Sequence, residues 1–378
     1  KTSEYIVERI LPGVRRGEMV ILVDDERREN EGDLFVAAAK ATPETINFMA
    51  SHARGLISLA LTEARLRQLG LALITDDTGN QTKFGTAFAT PIDAREGVGS
   101  GMSAHDRART IAVAIADNAK PTDLIRPGRL QTLRAVEGGV LARRGHTEAA
   151  VDLARMAGLA PAGVICEIMK DDGSMARLPD LLEFAKEHQL KIGSIADLIK
   201  YRSQHESIVV REGVREFVTP WGKFEGIIYR DTPSSCIHIA LIHGKPSEAS
   251  ETLVRVHEPV TVLDFLDSDV STHSWPLGQA LQQLATAPTG VAVLLNAAGI
   301  AASNDQDWLA QFQKLNQAKG EESKPLARKT DFRSYGIGAQ ILKDVGVQKM
   351  RLLANPSPVP SLSGYKLEVT GYIPYQPK

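Results

Sequence analysis

From Val23 to Val36 the chain reads VDDERRENEGDLFV, and seven of the eight residues from Asp24 to Glu31 are charged. Acids packed this densely beside an apolar run can do two kinds of chemistry: hold a hard divalent cation through their oxygens, or exchange protons with a substrate. Taken alone the run also fits a solvated turn, and Gly32 breaks any continuous helical face between Glu29 and Asp33. Two other segments add to it. RRGHTEAAVDLARMAG puts Arg143, Arg144 and His146 just ahead of a helix whose expected N-cap is Thr147; a helix N-terminus flanked by arginines suits a phosphate. In GVICEIMKDDG, Glu167 interrupts an otherwise apolar strand. Each signal has a plain structural explanation: a turn, a capping histidine, a strand-edge acid. Together they point to Mg2+ or Mn2+ with a phosphorylated substrate, because carboxylates and one imidazole leave coordination positions for water or substrate.

The elements around these residues alternate. MVILVD and LISLAL read as strands, with a helix from Pro43 to Ala53 between them. SAHDRARTIAVAIAD opens with the S-x-x-D of a capping box. A strand at Leu130–Val136, a helix at Thr147–Ala157 stopped by Gly158, a strand at Gly163–Met169 and helices near Pro179–His188 and Ser194–Arg202 follow. YRSQHESIVVRE then reads as a polar connector, with strands near Phe217–Val218, Glu225–Tyr229, Ile237–Ile242 and Thr252–Val256 beyond it. Helices are expected near Leu277–Ala285, Trp308–Asn316 and Gly338–Leu342, and Gln317–Lys329 reads as a mobile loop. The expected fold class is α+β with α/β-like alternation, in two different modules, 1–203 and 211–378.

At 378 residues two domains are the default. The composition, 43% hydrophobic and 24% charged, is that of a soluble globular protein. A net charge of −2 argues against nucleic acid as partner. Two cysteines, Cys166 and Cys236, are too few for a disulfide framework or a cysteine zinc site. No run reaches the roughly 18 apolar residues of a membrane span, and KTSEYIVERI does not read as a signal peptide; a cytoplasmic protein is expected.

DDERRENEGD, FGTAF, SAHDRARTI, RPGR, RRGHTEA and PAGVICEIMKDDGSMAR occur in that order between Tyr5 and Arg202. Together they resemble the 3,4-dihydroxy-2-butanone 4-phosphate synthases of riboflavin biosynthesis. LVRVH and DFRSYGIGAQILKDVGVQKMRLLANP resemble GTP cyclohydrolase II, the usual fusion partner. The resemblance implies a synthase-type three-layer mixed-sheet domain followed by a cyclohydrolase-like α+β domain. It also implies Mg2+-dependent conversion of ribulose 5-phosphate to the butanone phosphate and formate, and a homodimer. By matching motif, Glu29 and His146 stand where the family has its metal ligands. Arg28, Asp33, Arg143 and Thr147 stand at substrate contacts, and Glu167 at a carboxylate needed for proton transfer.

Several positions depart from the pattern. The family's RPGH reads RPGR, so Arg129 replaces a histidine and cannot shuttle protons near neutral pH. Arg144 replaces a glycine of the family's RGGHT turn, Gly99 and Ser100 replace two threonines, and Ser58 replaces a common cysteine. The chain could therefore make the usual product, act on another sugar phosphate or stop at an intermediate, or serve as a non-catalytic regulator. In the second module Glu258–Leu281 contains no cysteine where the resemblance calls for three zinc thiolates. NAAGIAAS (Asn296–Ser303) has lost the charges of the matching family loop, while Asp331 and Arg333 match its catalytic acid and arginine. No zinc and no GTP hydrolysis are expected there.

Overall fold

In the computed structural model, which describes residues 4–77, 79–258, 264, 273–295, 332–356 and 362–376, the chain divides into two units. These are Lys1–His205 with Val359–Gly364, and Glu206–Pro358 with Tyr365–Lys378. The strands of the first are β1 (Val20–Val23), β2 (Gly32–Ala37), β3 (Ser58–Thr62), β4 (Phe88–Ala94), β5 (Leu124–Ala135), β6 (Gly163–Glu167) and β7 (Lys191–Ser194). They form one mixed sheet in the order β4-β5-β3-β6-β2-β1-β7. Its helices are α1 (Glu4–Arg16), α2 (Pro43–Phe48), α3 (Glu63–Gln68), α4 (Ala104–Ile115), α5 (His146–Met156), α6 (Leu178–Glu187) and α7 (Ile195–His205).

Every residue of β2 is buried, so its period-2 alternation serves two covered faces rather than one wet and one dry. Leu34 and Val36 join Ile46, Met49, Ile111, Val164 and Leu181 in the core under α2, α4 and α6. Phe35 points the other way, towards Gly163 and Ala150, where α5 packs on β2, β3, β5 and β6. Nine consecutive residues of α5, His146 to Ala154, are buried. Small alanines at 149, 150 and 154 let the helix settle close to the strands, while α1 and α7 pack on it as well. The result is the expected three-layer mixed α/β unit.

The structure corrects several sequence expectations. α5 starts at His146 with Gly145 as its N-cap, not Thr147. A Cβ at Gly145 would lie 2.3 Å from Arg143 Nη1 and 2.6 Å from Glu148 Oε2, so any side chain there would displace one of that pair. Arg144 is not in a left-handed conformation; the tight approach expected at 144 falls at 145. Ser103 does cap α4 by accepting the Asp106 N–H, but the box is not reciprocal: Asp106 Oδ2 takes the N–H groups of Gly99 and Gly101 instead. Ser203, read as connector, is buried on α7, which runs on past Arg202, itself bonded to Asp152 at 2.8 Å.

The second unit contains β8 (Val209–Thr219), β9 (Gly222–Asp231), β10 (Ile237–His243), β11 (Glu251–His257), α8 (Leu277–Thr286), β12 (Gly290–Leu294), α9 (Phe332–Asp344), β13 (Lys349–Leu353) and β14 (Glu368–Ile373). Its sheet runs β14-β13-β11-β12-β10-β9-β8, antiparallel at the β8 side and parallel at the β14 side. The helix expected at 308–316, the loop expected at 317–329, the altered loop at 296–303 and Asp331 lie outside the described residues. So does the side chain of Arg333.

Candidate active site

The acidic run folds into a loop between β1 and β2 that is organised from within. Asp24 accepts the N–H groups of Glu29 (3.0 Å) and Glu31 (2.9 Å) and the Arg28 guanidinium (3.0 Å). Its oxygens are thus spent on shaping the loop, although it stands near enough to Glu29 and His146 to be a third metal ligand. Asn30 takes a left-handed φ of 55°, and Arg177 donates to the carbonyls of Glu29 and Asn30 from outside. The loop turns Glu29 inward. Its Oε2 lies 3.3 Å from His146 Nδ1 and 2.8 Å from Arg28 Nη1. On the far side of the imidazole Nε2 donates to the Leu22 carbonyl at 3.2 Å, which fixes the ring with Nδ1 towards Glu29.

Asp33 and Glu167 are directly opposite in the β2–β6 ladder, so both project to the α5 face. Asp33 is buried, and its Oδ1 has no hydrogen-bond partner among the described residues; His146 Nε2 stands 3.8 Å away. Glu167 Oε2 accepts the Leu56 N–H at 2.8 Å. Gly55 makes room for it, since a Cβ there would lie 2.6 Å from that oxygen. Arg143 and Thr147 are buried at the start of α5. Arg143 donates to Glu148 (2.7 Å) and to the Phe84 carbonyl (2.9 Å), while the Arg28 guanidinium lies over the Phe84 ring, 5.3 Å from its centre.

Burial would raise the Glu29 carboxyl, but the hydrogen bond from His146 and the positive charges of Arg28, His146 and Arg143 prevail and bring it to about 2. Burial opposes protonation of His146, yet Asp33, Glu29 and Asp24 carry its pKa to about 9. Asp33 goes well above the ordinary carboxylate range, first through burial and then through Glu167, Glu29 and Glu31, with His146 opposing. Glu29 is thus held towards its ionised form facing the His146 ring, and Asp33 is driven towards its neutral form. An ionised carboxylate and an Nδ1 facing each other at 3.3 Å, beside a buried acid oxygen without a hydrogen bond, fit a divalent cation.

Glu29, His146, Asp33, Arg28 and Arg143 thus come together, with Glu167 and Thr147 on the adjoining strand and helix turn. Of the divergent positions, Arg144 is buried between Arg143 and Gly145. Arg129 is tied to Asp93 on β4 by its guanidinium and its backbone N–H, each at 2.8 Å. Ser58 is buried and donates to the Leu56 carbonyl at 3.2 Å. Asp24, Glu148 and Phe84 were not found from sequence; an aspartate opening an acidic loop, where its side chain can take several N–H groups, was the available signal for the first.

A second cluster lies in the other unit. His257 Nε2 is 3.0 Å and His273 Nδ1 3.6 Å from Asp264 Oδ1. The three groups stand close enough to one another to hold a metal ion. Arg255 Nη2 donates to His257 Nδ1 at 3.2 Å, which leaves the imidazole proton on Nε2, directed at Asp264. Arg255 is itself a buried cation beside the cluster, its pKa drawn to about 10 by burial.

A mixed α/β fold with a carboxylate–imidazole pair where an acidic loop meets a helix N-terminus defines a two-unit protein with a cation-competent centre in its first unit. Residues 8–201 match the 3,4-dihydroxy-2-butanone 4-phosphate synthase family and residues 210–374 the GTP cyclohydrolase II family. The chain is 48% identical to a 3,4-dihydroxy-2-butanone 4-phosphate synthase of Neisseria meningitidis serogroup B, over 97% of both chains. It is 47% identical to the riboflavin biosynthesis protein RibBA of Aquifex aeolicus, over 97% of this chain and 91% of that one. Among solved structures it is similar to RibBX, a two domain 3,4-dihydroxy-2-butanone 4-phosphate synthase from A. baumannii, with 44% identity, a TM-score of 0.68 and coverage of 98% and 99%. It is also similar to such a synthase in complex with two magnesium ions, with 38% identity, a TM-score of 0.50 and coverage of 52% and 96%. The chain belongs to the 3,4-dihydroxy-2-butanone 4-phosphate synthase family, with a GTP cyclohydrolase II domain following the synthase domain.

Proposed function

We propose that the protein converts ribulose 5-phosphate into 3,4-dihydroxy-2-butanone 4-phosphate and formate, as a lyase of riboflavin biosynthesis. The observation that carries this is the Glu29–His146 pair set beside Asp33. The two products together contain the atoms of the substrate, but a CH2OH carbon becomes CH3 and the departing carbon leaves with two oxygens, so water must be lost and regained while protons move and carbon–carbon bonds rearrange. Glu29 and His146 would hold Mg2+ or Mn2+, and a bound dication supplies polarisation of the substrate's carbonyl and neighbouring hydroxyl. Arg143, with the N–H groups of the first turn of α5, binds the phosphate; Gly145 has no capping side chain to occupy them. Arg28 balances the acids of the loop and borders the substrate. Asp33, pushed towards neutrality and free of hydrogen bonds at Oδ1, exchanges a proton with the carbon skeleton. Glu167, held through Oε2 by the Leu56 N–H, serves the second proton transfer.

We further propose that the second unit does not hydrolyse GTP. Its β11–α8 segment carries no cysteine, Cys236 precedes β10, and the His257–Asp264–His273 cluster is closed by hydrogen bonds of its own. A homodimer in the cytoplasm is the assembly and compartment consistent with the family; no described helix is long and apolar enough to cross a membrane.

Incubation of the purified protein with ribulose 5-phosphate and Mg2+ should release formate, seen by NMR with labelled substrate. Glu29→Gln and His146→Ala should each lower turnover by about a thousandfold. Absence of pentulose phosphate consumption by the unaltered protein would exclude this activity. With GTP and added Zn2+ no pyrophosphate should appear, and its appearance would overturn the second proposal.

A further inference from the structure

Glu148 lies two residues beyond His146 in the first turn of α5 and is fully buried. Its two oxygens have separate partners. Oε1 accepts the N–H of Val136, just past the end of β5, at 3.0 Å, and Oε2 accepts Arg143 Nη1 at 2.7 Å. The Arg143 side chain is 6% exposed and that of Glu148 0%. A buried ion pair is a poor source of net stability, because desolvation of both charges consumes most of the attraction. What this one does supply is direction. Val136 fixes the carboxylate, the carboxylate fixes one end of the guanidinium, and the Phe84 carbonyl fixes the other at 2.9 Å. Gly145 is the residue this arrangement requires, since a Cβ there would collide with both members of the pair.

We propose that Glu148 is a positioning residue that aims Arg143 at the substrate's phosphate and sets its distance from the Glu29–His146 centre. The proposal rests on the reading of Arg143 as the phosphate-binding arginine. Because Glu148 and His146 belong to the same helical turn, the anion-binding and cation-binding ends of the site are built on one rigid piece. Without that aim the guanidinium holds the phosphate less well, which weakens substrate binding more than it slows the bound substrate.

The test uses the full chain with Glu148→Gln, which keeps the size and the acceptor for Val136 but removes the charge facing Arg143. Glu148→Asp is the conservative partner, and Arg143→Ala and the double variant complete a cycle. For Glu148→Gln, KM for ribulose 5-phosphate should rise about tenfold with kcat changed less than about threefold. Mn2+ affinity read by electron paramagnetic resonance should be unchanged, and Glu148→Asp should recover part of the loss. In the Arg143→Ala background the same change should add less than about twofold, because the two residues act as one unit. A purely structural role would lower the melting temperature and the active fraction while leaving KM per active molecule alone. The proposal is overturned if KM is unchanged in Glu148→Gln while Arg143→Ala raises it, or if the two defects multiply. Should the unaltered protein turn over no pentulose phosphate, the functional reading fails separately. Inorganic phosphate binding, followed by 31P line broadening, then decides the matter for Glu148: weaker binding in both single variants supports it, and binding equal to that of the unaltered protein in Glu148→Gln refutes it.

Discussion

Cation binding at the Glu29–His146 pair should be strongly dependent on pH. Without a cation, His146 has a pKa of about 9 and Glu29 of about 2, so near neutral pH the site carries one proton between an ionised carboxylate and an imidazolium. A cation can take Nδ1 only after that proton leaves, since a ligating imidazole must be neutral there. At pH 7 only a small fraction of His146 is neutral, because its pKa lies above that pH. Apparent affinity for Mn2+ should therefore increase about tenfold per pH unit from 6 to 8, roughly a hundredfold in all, and level off near pH 9. Calorimetric titration at pH 7 in buffers of different ionisation enthalpy should count about one proton released per cation bound. His146→Ala should abolish both the slope and the release. Tight Mn2+ binding with a flat profile and no proton release would refute the assignment of His146 as the ligand that exchanges a proton for the metal.

The other expectations are more local. The raised pKa of His146 contributes stability that is fully present below about 6.5 and is lost as pH rises through about 9. In chelator, the melting temperature of the unaltered protein should fall over that window relative to His146→Gln; parallel curves would count against it. Gly128→Ala would place a Cβ 1.9 Å from the Ile92 carbonyl carbon, main chain that cannot swing away. A loss of about 3 kcal/mol or more in chemical denaturation is expected, and a loss below about 1 kcal/mol would contradict the close β4–β5 approach. Arg129→His should raise kcat about tenfold by restoring a group that exchanges protons near neutral pH, while Asp93 keeps a partner. An unchanged kcat would place Arg129 outside the proton traffic.

The chemistry-bearing residues were easier to read from the sequence than the elements that carry them. Glu29, His146, Asp33 and Glu167 belong to motifs whose order leaves little freedom. Their geometry also follows from simple rules: alternation puts Asp33 and Glu167 on one face, and Gly32 ends the acidic loop where β2 begins. The misses have physical causes. β4 carries Pro91 and a register irregularity, so its period-2 pattern is broken. α1 holds Pro12 and Gly13 inside its length, which conceal a helix. β8 is exposed along most of its length, so no apolar stripe marks it in the sequence. Thr147 looked like an N-cap by residue type, but the cap is decided by space, and the space at 145 is taken by Arg143 and Glu148. Asp24 and Glu148 were invisible as organisers because an acid that shapes a loop and one that binds a cation have the same letter.

The two histidine clusters show how far a single second partner decides what an imidazole can do. In each, one ring nitrogen faces a carboxylate at 3.0–3.3 Å. His146 gives its other N–H to a main-chain carbonyl, so Nδ1 can lose its proton and present a lone pair beside Glu29. His257 receives a hydrogen bond from Arg255 on its other nitrogen, so its own proton must stay on the side facing Asp264. For His257 to ligate a cation it would have to give up its last proton or displace a buried guanidinium that also bonds Ser274 and the Leu353 carbonyl. On the proposed reading, an acceptor behind one ring and a donor behind the other separate a site that exchanges a proton for a metal from one that holds its proton in place.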